Sequence, residues 1–126
     1  MSVSSSVQLV SPPSGAKEIT LVPNASPDNA IVGAACKILA IEIDNTNNGS
    51  QSVYVKLFDA ASVTAGTTAP DEVFYCRGGK RRFINFFADD RLEFNTALSA
   101  CCVTTGGTGG TTSPTSNVNV KMTVTS

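Results

Sequence analysis

Arg77, Lys80, Arg81 and Arg82 fall within six positions around Gly78-Gly79, the densest run of charge in the chain. Cations gathered on a turn are the chemistry of phosphate or carboxylate recognition. Here a solvated tip, or one meeting carboxylates on a neighbouring subunit, is the preferred reading, because Phe74, Tyr75 and Phe83 read as strand core residues and not as a stacking platform for bases. Downstream, Asp89, Asp90 and Glu93 gather carboxylates of the kind that hold a hard cation, but their spacing fits no calcium loop, and a turn capped by Asp accounts for them. The chain has no His. That removes the side chain best suited to proton transfer near neutral pH, the Ser/His and Cys/His nucleophile pairs, and most zinc sites. A glycosidase would need two carboxylates flanking a cleft in separate roles, which no spacing here establishes. The sequence therefore predicts no catalytic residue.

The remaining candidates lead the same way. Cys36, Cys76, Cys101 and Cys102 match neither a zinc ribbon nor a redox motif. Cys101 and Cys102 would point to opposite faces of a strand. Free, buried thiols are expected, with one disulfide, from Cys36 to Cys76 or to one of the vicinal pair, as the alternative. Gly106-Gly107-Thr108-Gly109-Gly110 lacks the Lys-Ser/Thr that must follow in a phosphate-binding loop. Asn24-Ala25-Ser26 and Asn48-Gly49-Ser50 fit the glycosylation pattern, a tripeptide common by chance. No metal and no cofactor is expected.

The elements that hold these residues are written in period-two alternation. Val53, Val55 and Leu57 fall on one face against Ser52, Tyr54 and Lys56, and Val118, Val120, Met122 and Val124 alternate with Asn117, Asn119, Lys121, Thr123 and Thr125. Lys37 to Asp44 is more continuously apolar, as in a central strand covered on both sides. Shorter strands are expected at Val7 to Val10, Glu18 to Val22, Val73 to Cys76, Arg82 to Phe86, Leu92 to Asn95 and Leu98 to Thr104. Turn clusters separate them. The expectation is a single all-β sandwich, jelly-roll or immunoglobulin-like, of about eight strands with little helix. Asn48-Gly49 is a hairpin dipeptide that would fold Lys37 to Asp44 back onto Ser52 to Phe58. If Val73 to Cys76 and Arg82 to Phe86 are paired strands, Arg77 to Arg82 sits at a second hairpin tip. One short helical turn is expected at Asp59 to Val63, opened by Asp59.

The domain is expected to span 17–126, preceded by an extended arm at 1–16 and carrying a Gly/Thr-rich loop at 104–116 that is mobile until a partner orders it. Gly66-Thr67-Thr68-Ala69-Pro70 and Gly110-Thr111-Thr112-Ser113-Pro114 share a pattern that reads as two polar connections of one physical type, not a duplicated half-domain.

With 126 residues, 14 Ser, 14 Thr and 10 Gly, 15% charged residues and a net charge of -1, the chain has one domain's worth of core and a polar, weakly charged surface. No basic field holds nucleic acid or an anionic membrane, so neither is an expected partner. The first ten residues carry no basic and apolar regions of a secretory signal, and no run reaches the ~20 apolar residues of a membrane span, which predicts a protein made in a cytoplasm.

Val53-Tyr54-Val55-Lys56-Leu57-Phe58-Asp59-Ala60 with Val63-Thr64-Ala65-Gly66-Thr67-Thr68-Ala69-Pro70 resembles small virion structural proteins of tailed bacteriophages. Leu98 to Thr105 and Gly110 to Pro114 are similar to their second half, so the likeness covers roughly 38–125. Cys101-Cys102 and Arg77 to Arg82 fall outside the shared pattern. The resemblance implies a non-enzymatic β domain, in the first place a capsid decoration, or cement, protein. Such a protein sits on the virion exterior, binds the major capsid protein and bridges capsomers as a homo-oligomer, with a trimer favoured. A tail, neck or baseplate component is the alternative, and a carbohydrate-binding module, with Tyr54 the one outward aromatic, the second. The expected partner-facing residues are Val7 and Leu9 on the arm, Arg77, Lys80, Arg81 and Arg82 on the basic turn, and Thr108 and Thr111 on the loop.

Overall fold

Alternating apolar and polar residues with turn-forming spacers build strands throughout. The computed structural model describes residues 16–125, and among these it has nine strands: β1 (Ala16–Leu21), β2 (Asp28–Val32), β3 (Cys36–Asp44), β4 (Val53–Phe58), β5 (Glu72–Cys76), β6 (Arg81–Asn85), β7 (Leu92–Phe94), β8 (Leu98–Val103) and β9 (Asn119–Thr125). A 3-10 turn at Ala88–Asp90 joins β6 to β7. The arm, its expected strand at Val7 to Val10, and the candidates Val7 and Leu9 lie outside the described residues. Ala16, expected as the arm's last residue, opens β1.

One sheet runs β1-β9-β3-β6, with β7 also on β3; the other runs β2-β8-β4-β5. Every pairing is antiparallel. The pairs nest, β1 with β9, β2 with β8, β3 with β6, β4 with β5, so the chain is one long hairpin rolled into two sheets. This winding is a jelly roll, which decides between the two sandwich topologies left open by the sequence.

The core lies between the sheets. Ile38, Ile41 and Ile43 on β3 and Val120, Met122 and Val124 on β9 meet Val53, Val55 and Leu57 on β4 and Leu98, Ala100 and Cys102 on β8. Burying each large aliphatic side chain stabilises the fold by roughly 1.5–3 kcal/mol. β3 owes its continuous apolar run to a register shift against β9 between Ile38 and Ala40, a bulge that turns both Ile38 and Ile41 inward. Its outer face, with Lys37, Glu42 and Asp44, is open or half-open. The strand covered on both sides is instead β8, all six of whose residues are buried. Its outward Cys101 and Val103 pack with Phe58 and Val63 in a second, smaller cluster.

Several expectations are corrected. β3 does not fold back onto β4, because the two strands belong to different sheets and residues 45–52 carry the chain from one sheet to the other. Nor is Arg77 to Arg82 a hairpin tip. β5 pairs with β4, β6 pairs with β3, and the basic segment crosses between the sheets. β2 is a strand where the sequence, with its Pro27-Asp28-Asn29, reads as turn. Its pairing with β8 is irregular and Ala30 has φ +48°. Tertiary bonds hold it, from Ala30 N to Ser99 Oγ at 2.9 Å and from Val63 N to Asn29 Oδ1 at 3.0 Å. No helix forms at Asp59 to Val63. The Asp59 carboxylate instead accepts the N–H groups of Asn95, Thr96 and Ala97, capping the turn before β8.

Candidate interaction surface

The basic segment sits on a corner built around one buried amide. Asn45, fully buried, donates its Nδ2 to the carbonyls of Gln51 at 2.8 Å and of Cys76 and Arg77 at 3.3 Å. Its Oδ1 accepts from Asn48 Nδ2 at 2.8 Å, its main-chain N–H bonds Lys80 O, and its carbonyl takes the N–H of Gly79. Asn48 in turn holds both main-chain groups of Ser116. The two crossings, 45–52 and 77–80, are therefore tied to each other and to the end of the 104–116 loop. Gly78 is required by closeness: a Cβ there would lie 2.5 Å from the Ser50 carbonyl carbon. Because Asn48 is buried with its amide engaged, its tripeptide is not an accessible glycosylation site, whereas Asn24 is exposed.

The four cations take different roles on this frame. Arg82 points along the inner face, and its Nη1 donates to Tyr75 O on β5 at 2.8 Å. Arg81 Nε lies 3.3 Å from Asp44 Oδ2. Bonds from the Thr46 hydroxyl and N–H, with the Arg81 charge alongside, hold the Asp44 carboxyl below the ordinary range. Arg77 and Lys80 are exposed and in no ion pair among the described residues. The expectation that Tyr75 and Phe83 are core residues fails: they are 43% and 65% exposed, and Phe87 is 75% exposed. Of the three expected there, Phe74 alone is interior, edge-on to Phe86. Tyr54, expected as the outward aromatic, is half-covered. It packs against Gly106 and tilts against Tyr75, ring centroids 5.3 Å apart, while the Tyr75 hydroxyl bonds Ser52.

Thr108 and Thr111 lie apart from the cations, on the loop that covers the outer face of the β2-β8-β4-β5 sheet. Lys56, expected to face solvent, is buried beneath that loop with its ammonium donating to Gly107 O. The loop is also fastened by Thr104 N to Thr112 O at 3.0 Å, Ala25 N to Ser113 Oγ at 3.0 Å and Thr115 N to Gln51 Oε1 at 2.7 Å. Its own chain thus fastens the loop at several points, which its composition does not reveal. Thr111 packs on Gly66, so the two Gly-Thr-Thr loops touch, one closing β4 to β5 within a sheet and the other crossing from β8 to β9.

All four cysteines are free and buried. Burial pushes each thiol up, Cys102 to about 12, so none is a thiolate at neutral pH. Cys36 lines a cleft of about 300 Å³ between β1 and β2, together with Lys17, Val32 and Val124. Among the described residues no three His, Cys, Asp or Glu side chains converge in a way that would hold a metal ion. Asp89 and Asp90 stand on the 3-10 turn, and Glu93 pairs loosely with Lys37 at 3.9 Å. What sequence reasoning passed over is that the expected β6 strand lies at a sheet edge: with only five residues and both arginines at its start, it exposes Phe83 there. Compared with known proteins, the chain matches no protein-family model and no curated sequence.

Proposed function

We propose that this chain is a non-enzymatic virion structural protein, a decoration protein that binds the outside of an assembled shell of major capsid protein after being made in the host cytoplasm. The observation that carries the reading is the jelly-roll winding, an architecture that recurs in viral shell domains, here in a domain whose thiols are buried and whose long loop is tied down by its own chain. Architecture alone does not assign function, and the likeness of residues 38–125 to phage virion proteins supplies the rest. Recognition by shape and main-chain groups suits the low charge, so attachment withstands moderate salt. Antibody labelling of purified virions under the electron microscope tests it. Label over the whole shell supports decoration, label confined to tail or neck supports that alternative, and unlabelled particles overturn both.

A second reading rests on Tyr54 and Tyr75. The jelly roll also recurs in lectins, and a tilted tyrosine pair with the Tyr75 hydroxyl on Ser52 offers a sugar ring a face and polar neighbours. Glycan binding that disappears in Tyr75→Ala would favour it over a shell component.

A further inference from the structure

The two neighbouring sheet edges at β5 and β6 are finished differently. At β5, Arg82 caps the edge by bonding Tyr75 O. At β6 the ladder determines which groups stay free. Asn85 faces Ala40 and Arg81 faces Asp44, and the bonds flanking these pairs run from Phe86 N to Leu39 O at 2.8 Å and from Asn45 N to Lys80 O at 2.9 Å. That is the pattern of non-hydrogen-bonded pairs. Arg82 and Ile84 thus direct their main-chain groups to β3, while the N–H and C=O of Arg81, Phe83 and Asn85 point away from the sheet. All three residues are exposed.

Such an edge accepts another strand, and the residues along it specify which. Phe83 stands at the centre. Arg77 and Lys80 lie beyond one end of β6, Asp89 and Asp90 beyond the other, and none of these four is in an ion pair among the described residues. A sequence of cation, aromatic, anion is complementary to itself when reversed, as an interface with a two-fold axis requires. The remaining edges are less suited: β1 carries Lys17 and Glu18, and β2 pairs irregularly.

We propose that the chain self-associates through β6 about a two-fold axis at Phe83, joining the β1-β9-β3-β6 sheets of two copies into one. Phe83 then pairs with its counterpart, and Arg81 of each copy with Asn85 of the other, each pair exchanging both main-chain bonds. The end of β6 that carries Arg77 and Lys80 in one copy then lies toward the end that carries Asp89 and Asp90 in the other. The exposed phenyl rings cover each other. This pairing is independent of the virion reading, and it replaces the expected trimer with a pair.

Sedimentation equilibrium on the full chain tests it, with an expected mass of twice 13.0 kDa. Phe83→Lys, which sets two ammonium groups across the axis, raises the dimer Kd at least ~tenfold, with circular dichroism confirming the fold. Because that variant changes a strand, a second set uses the exposed flanks: Arg77→Asp and Asp89→Arg each weaken the dimer, and the two together in one chain restore it. A monomer at ~0.1 mM, where a Kd of ~10 μM would be well populated, overturns the proposal. So does a trimer, or a dimer indifferent to Phe83→Lys or to the charge reversals.

Discussion

Replacing Asn45 tests whether the corner is held by one amide. The side chain is fully buried and contributes two donor hydrogens, shared among the carbonyls of Gln51, Cys76 and Arg77, and one acceptor for Asn48. Asn45→Ala removes all of these. The Gln51 and Arg77 carbonyls lie where water can reach them, whereas the bonds to Cys76 O and from the Asn48 amide are buried. An unsatisfied buried polar group costs ~1–3 kcal/mol, so two such groups plus a lost contact amount to about 3–4 kcal/mol. Against the ~5–15 kcal/mol of a typical domain, urea unfolding followed by circular dichroism will show a large drop in midpoint. Asn45→Asp keeps the shape but aims a carboxylate at three carbonyls. Its folded pKa is raised, so its penalty exceeds that of Ala at neutral pH and fades as pH falls through that raised value. Asn47→Ala is the control, because Asn47 is exposed and its bond to Asn117 O is exposed too, and it should stay within ~0.5 kcal/mol of the parent. A loss below ~1 kcal/mol for Asn45→Ala would refute the reasoning.

Lys56→Met fills the same space without the ammonium, so global stability changes little while Gly107 O loses its donor; hydrogen exchange at 105–110 should accelerate, and unchanged protection there would show that the loop is held by its other bonds. Asp59 accepts N–H bonds from Asn95, Thr96 and Ala97, which lower its pKa; its contribution is present above the unfolded-state pKa and lost as pH falls through the lowered folded one. Asp59→Asn should therefore flatten the acid side of the stability profile, and an unaltered slope in urea titrations across that range would count against the cap. The four buried thiols should resist a thiol reagent in native protein and all react once it is unfolded; rapid labelling of any of them in the native state contradicts the packing.

Much of the strand inventory is legible because side-chain alternation is a local signal. β4 and β9 follow from Val53, Val55 and Leu57 and from Val120, Met122 and Val124, and β1, β5, β6, β7 and β8 appear within a residue or two of their expected ends. The opposed faces of Cys101 and Cys102 follow from the same period: Cys102 enters the main core and Cys101 the outer cluster. β2 was not legible. Its residues lack alternation, and its place depends on Ser99 and Asn29 bonding partners far along the chain. Lys56 was misread for a related reason, since periodicity places it outward and only the returning 104–116 loop covers it.

Composition and alternation by themselves determined an all-β chain with its apolar residues turned inward, because a strand's two faces are set by residues next to one another in sequence. The tertiary structure decided which strands pair. Asn48-Gly49 and Gly78-Gly79 look like hairpin turns locally, but both mark crossings between sheets, since Asn45 binds the two connections together across more than thirty residues of chain. Among the described residues, the same long-range pairing left the outward main-chain groups of β6 open beside Phe83. No local pattern specifies that, because the freedom of an edge depends on what the rest of the chain does not cover.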